Sequence, residues 1–157
     1  MAPTVSLQAV IDQMDILSDQ MHPYLNKRTG ELVTISDEEI SVAERGDDID
    51  AYPEWEQDLI RQAQEVLDSD DYLPLPSKFD IHEYAIMERF CYSVDDEALS
   101  DELLDLIRGS GAFGRFKNAI HRHGIADDWY RYRQAALEEI AIEWLQDNDI
   151  PYTREKA

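Results

Sequence analysis

The stretch RGSGAFGRFKNAIHRHGIADDWYRY, residues 108–132, sets the architecture of this chain. Gly109 follows the apolar positions Leu99, Leu103, Leu106 and Ile107 at helical spacing and reads as the residue that stops their helix. Gly111 then offers a turn, and Phe113, Phe116 and Ile120 mark a second helix that ends at Gly124. Trp129 opens a third, carried on by Leu137, Ile140, Ala141, Trp144 and Leu145 to about Asn148. Three helices punctuated by glycines predict a helix-dominated fold. The same stretch is where positive charge outweighs negative: residues 108–133 hold 6 Lys and Arg against 2 Asp and Glu, whereas residues 1–80 hold 5 against 19.

Working outward, Leu7, Val10, Met14, Leu17 and Met21 recur at steps of three and four and predict an amphipathic helix over about Ser6–Ser18. His22-Pro23 ends it. Residues 22–35 predict a β-hairpin, with Gly30 at the positive-φ position of its turn. Ser36 and Glu39 have capping-box spacing for a helix running to Gly46. Pro53 suits a first helical turn, with Trp55, Leu59, Ala63, Val66 and Leu67 as the expected buried stripe. Leu73-Pro74-Leu75-Pro76 reads as an extended connector. Asp80 is placed to cap a helix that buries Ile81, Tyr84, Met87, Phe90 and Cys91, and the next helix begins near Asp96. The fold class is therefore α+β, predominantly helical, with one hairpin packed against six or seven helices. One domain over residues 1–157 is expected, with its weakest point near 72–78 and a mobile tail over 150–157.

Composition narrows the function classes. Apolar residues make up 43% of the chain and charged residues 31%, so a packed core is available and the net charge of −21 reflects a skew between acids and bases. A field of that sign repels nucleic acid and anionic membrane. Direct nucleic-acid or membrane binding is therefore not expected, whereas a basic protein partner is. The single Cys91 forms no internal disulfide, the start lacks the pattern of a signal peptide, and no apolar run reaches membrane-spanning length. The expectation is a cytoplasmic protein.

LPSKFDIHEYAIMERF, IRGSGAFGRFKNAI and GIADDWYRYRQAALEEIAIEWLQDNDI, following a hairpin with a TGELV turn, resemble a bacterial family catalogued only as a numbered uncharacterised protein family. The resemblance runs from about Val10 to Ile150. It implies a small intracellular bacterial protein of α+β type and supplies no activity, so no catalytic residue follows from it. Gly114 departs from the basic residue expected there.

Exposed amides at the helix start near Gly109 and Gly111, with Arg108, Arg115, Lys117 and Arg122, form a candidate site for a small anionic ligand such as a phosphate. Neither GxxxxGK[ST] nor a GxGxxG in a βαβ setting is completed. The plainer account makes Gly109 a cap and Gly111 a turn, and pairs the cations with the chain's own carboxylates. His121 and His123 are two apart, which does not face one side of a helix, so no metal pair is expected. The acidic clusters fail as calcium loops, because the sixth and twelfth positions from Asp68 are Leu73 and Phe79 where Gly and Glu are needed, and the sixth from Asp48 is Pro53. Ser110 is not in GxSxG, Cys91 reads as a buried apolar residue, and Trp129, Tyr132 and Trp144 read as core. No cofactor is implied.

Two functions remain. The favoured one is a non-enzymatic binding or regulatory module that presents an acidic face to a basic protein. The other is an enzyme or sensor for a phosphorylated small molecule held at residues 108–122, which would require Arg108, Arg115, Lys117 and a histidine to converge.

Overall fold

The computed structural model describes residues 3–15 and 20–154. The class is α+β and mostly helical. Seven longer helices and one of four residues are present among the described residues, with a small antiparallel sheet and one short parallel pair of strands. The chain divides into two compact units, residues 1–77 with 141–157, and residues 78–140.

In the first unit, strands β2 (Met21–Asn26) and β3 (Leu32–Ser36) form the expected hairpin, with Met21 opposite Ser36 and Leu25 opposite Leu32. The turn is fixed by Asn26, which is buried and whose side-chain oxygen accepts hydrogen bonds from the amides of Arg28 at 2.9 Å and Thr29 at 3.1 Å. Gly30 takes φ +78°, and a Cβ there would press on Pro3 at 3.3 Å. The connector reading of Leu73–Pro76 is corrected in part. Residues Tyr72–Pro74 form β4, an edge strand on the far side of β2 with Leu25 opposite Leu73. Proline is tolerated at such an edge because no ladder donor is needed there.

Helix α2 (Asp37–Arg45) opens as its capping residue predicts: Ser36 Oγ accepts from the Glu39 amide, and Gly46 closes the helix at φ 69°. Helix α3 (Glu54–Asp68) follows Pro53, and its buried residues are Ile60, Ala63 and Val66. Ala63 and Val66 pack with Val33 and Ile35, and Tyr24, Ile40, Ala43 and Tyr72 close around them. The expected α3 stripe is therefore partly corrected. Trp55, Leu59 and Leu67 are exposed, because the helix is rotated to bury Ile60 instead.

Helix α1 (Leu7–Met14) is capped by Ser6, whose side chain accepts from the Ala9 amide, and buries Leu7, Val10, Ile11 and Met14. Its expected continuation through residues 16–18 lies outside the described residues. Strand β1 (Val5–Ser6) pairs in parallel with β5 (Tyr152–Thr153). Ile150 is buried and Val5 donates its amide to the Pro151 carbonyl at 3.0 Å, so the start of the segment expected as a tail pairs with β1. Residues 155–157 lie outside the described set.

The second unit is helical. The one-turn α4 (Lys78–Ile81) contains Asp80, which therefore does not cap the next helix. His82, at φ 52°, stands immediately before α5 (Glu83–Ser93). Helices α6 (Glu97–Leu106) and α7 (Ala112–Arg122) follow, and α8 (Ala126–Asp147) contributes residues 126–140 to this unit. Asp96 caps α6, accepting from the amides of Ala98 and Leu99. Phe90, Phe116 and Trp129 meet edge to face with centroids 4.9–6.0 Å apart, and Tyr132 joins Phe90 at 5.4 Å. Such pairs add to the burial of their area. Trp144, in the first unit, is half-buried. Two expected core residues are exposed: Phe113, and Tyr84, whose hydroxyl donates to the Ile107 carbonyl at 2.9 Å.

Candidate functional site

The glycine-rich segment forms the corner between α6 and α7. Gly109 and Gly111 take φ +78° and +81°, conformations that turn the chain sharply after α6 and start α7. Arg115, on the first turn of α7, reaches back across this corner. Its Nε donates to the Leu106 carbonyl, its Nη1 to Ser110 and its Nη2 to Arg108, each at 2.7 Å. One planar guanidinium thus satisfies three carbonyls at and beyond the end of α6, which the helix leaves without intrahelical donors. Gly111 is matched to it, since a Cβ there would stand 2.9 Å from Arg115 Nη1.

The remaining cations are dispersed. Arg108 faces Asp105 at 3.7 Å, Arg122 faces Glu102 at 3.6 Å, and His123 Nε2 lies 3.0 Å from the same Glu102. All are on exposed surface, where such pairs contribute only ~0–1 kcal/mol. Lys117 and His121 are exposed and make no ion pair among the described residues. The six residues of the candidate anion site therefore occur on one corner and helix, but Arg115 is turned back onto backbone carbonyls, Arg108 and Arg122 face local carboxylates, and Lys117 stands apart from them on the exposed face of α7. No group of three metal-ligating side chains is present among the described residues.

Burial pushes the Cys91 thiol up to about 11, leaving it protonated and a poor nucleophile near neutral pH. In the first unit a cleft of about 310 Å³ is lined by Gln20, Ser36, Asp37 and Glu38, with His22 paired to Asp37 at its side. Ser36 Oγ is committed to the Glu39 amide. Nearby in sequence, the Asp47 carboxylate accepts from the Tyr52 hydroxyl at 2.9 Å and from Arg45 Nε at 3.1 Å, and both bonds hold its pKa below the usual carboxylate value.

Sequence reasoning missed two features. Glu83 and Arg133 form a largely buried ion pair joining α5 to α8, fifty residues apart, with no local signal to announce it. Trp55 is 70% exposed, the most exposed of the large hydrophobic side chains among the described residues. Its place outside the Ile60, Ala63 and Val66 face was detectable only by counting Ile60 into the stripe.

These features describe an acidic, helix-rich α+β protein in which the basic corner is braced by its own arginine. The chain belongs to the uncharacterised protein family UPF0158, whose family model matches residues 1–157. It is also 32% identical over 66 residues to a UPF0158 protein of Pseudomonas aeruginosa. That match covers 41% of this chain and 43% of the relative, so less than half the length of the curated relative is spanned. No solved structure matches. No helix among the described residues is long and apolar enough to cross a membrane.

Proposed function

We propose that this chain is a non-enzymatic binding or regulatory module that presents an acidic face to a basic protein partner. The observation that carries this reading is the uneven distribution of charge between the units. The first holds 6 Lys and Arg against 22 Asp and Glu, a balance of −16, and the second holds 8 against 13, a balance of −5. Within residues 47–68 eight acids stand against the single Arg61. A field of that density steers a positively charged surface and sets its orientation more than its final affinity. Action on a phosphorylated small molecule at residues 108–122 has less support. It would need a cationic clamp converging with an acid–base group, and Arg115, the central member, has three of its five donors occupied by backbone carbonyls.

The test is affinity capture from bacterial lysate on the immobilised full chain, eluted by rising salt and read by mass spectrometry of proteins and metabolites. A Lys117→Ala/Arg122→Ala double variant is the control, because it removes cations without disturbing the Arg115 brace. Basic proteins released by salt and retained equally by both chains are the expected result. A phosphorylated metabolite held by the native chain and lost from the variant would overturn the reading.

A further inference from the structure

We infer that the Trp55 and Leu59 strip at the start of α3 is a docking surface for a basic amphipathic segment of a partner protein. The apolar side of that segment covers the two side chains, and its lysines or arginines meet the carboxylates around them. This rests on the acidic-face reading and gives that face an apolar centre.

Two independent observations converge there. The first is apolar: Trp55 is 70% exposed and Leu59, four residues on, is 38% exposed. At that spacing the two are neighbours on the helix surface. The unit's own core does not use them, since α3 packs through Ile60, Ala63 and Val66. An indole left in water on a helix whose core face lies elsewhere withholds most of the ~150–250 Å² that such a side chain can bury. Tryptophan is also the residue type that most often anchors an interface when a partner covers it.

The second observation is electrostatic. Asp48, Asp50, Glu54 and Asp58 are all exposed in the segment around Trp55. Arg61, the sole base from residue 47 to 68, is paired with Asp58 at 3.2 Å. A neutral apolar partner would leave those carboxylates to be desolvated without compensation. A second copy of this chain would set a unit of charge −16 against its equal, and an anionic lipid surface or a nucleic acid is repelled in the same way. A lysine or arginine over the indole face adds a cation–π contact that no acidic or neutral segment can make. The chemistry selected is therefore basic and amphipathic together.

The probe is a fluorescent 18-residue Leu/Lys peptide, about five helical turns at 3.6 residues per turn, designed with one apolar and one basic face. A scrambled peptide of the same composition serves as control, and binding is followed by anisotropy against the full chain at low and raised salt. The amphipathic peptide is expected to bind more tightly than the scrambled one and to weaken as salt rises. Trp55→Ala should lose about 30-fold in affinity, the size of an interface hot spot, with an unchanged melting temperature. Asp58→Lys, at a side chain 84% exposed, should weaken binding independently of any effect of Trp55 on folding. Salt-sensitive binding that Trp55→Ala and Asp58→Lys leave intact would overturn this site while sparing the acidic-face reading. Failure of both peptides to bind the native chain would overturn both. A dimer in sedimentation that Trp55→Ala dissolves would overturn the proposal in favour of self-association.

Discussion

The two units handle their charge in opposite ways. In the second, the arginines of residues 108–122 are spent on the fold or on nearby carboxylates: Arg115 closes the α6–α7 corner, Arg108 faces Asp105, and Arg122 shares Glu102 with His123. In the first, charge is left on the surface, with eight acids against one base from residue 47 to 68 and an indole exposed among them. A cluster that stands out in the sequence by its sign can thus be structural, while a diffuse excess of the opposite sign is what faces outward. Charge density alone does not mark a site. Whether a charged group has an internal partner does.

Phe116→Ala removes a ring that is 1% exposed and contacts Phe90 and Trp129, and should cost ~3–5 kcal/mol in urea denaturation. Trp55→Ala, on the exposed strip, should stay within ~0.5 kcal/mol of the native chain. Equal losses from the two would erase the contrast between aromatic core and aromatic surface.

Gly111→Ala forces a residue with a Cβ into φ +81° and into the Arg115 guanidinium, and should cost ~1–3 kcal/mol. Arg115→Ala should cost ~1–2 kcal/mol through three lost carbonyl bonds, reduced by solvent at this exposed position. A double variant less destabilised than the sum of the two would sharpen the view that they form one lock. Additivity would separate them.

Titration gives smaller effects. The folded state holds the Asp47 pKa below 3.8, through Tyr52 first and Arg45 second. Its contribution is therefore present above that value and is lost as pH falls through the lower folded one. Asp47→Asn should lower stability at pH 7, and the difference from the native chain should vanish in strong acid. For Cys91 the sign is reversed. The folded thiol is raised from 9.0 to about 11, so the native state keeps a proton that the unfolded state releases, and stability should fall as pH rises across that interval. Cys91→Ala should flatten that decline. Smallest of all, Lys117→Ala should change stability by less than ~0.5 kcal/mol.

Much of the fold was legible because its signals are local. The turn at Gly30, the caps at Ser36 and Gly46, the helix start near Asp96, and the glycines at 109 and 111 each follow from what one residue does to its own backbone. Strand β4 was not, because Pro74 and the following Pro76 read as a connector until β2 supplies a partner edge. The β1 and β5 pair holds two residues in each strand and is separated by most of the chain. At the candidate site, the glycine geometry was legible but the role of Arg115 was not. Its partners are main-chain carbonyls, which carry no residue identity in a sequence. Trp55 fitted a helical stripe by spacing, and only the rotation of α3 toward Ile60 turned it outward.

The most direct test of the account is hydrogen exchange on the full chain with and without the amphipathic Leu/Lys peptide, read segment by segment. The account predicts new protection over residues 48–62 and none over 108–122. Protection confined to 108–122, with residues 48–62 unchanged, would contradict it.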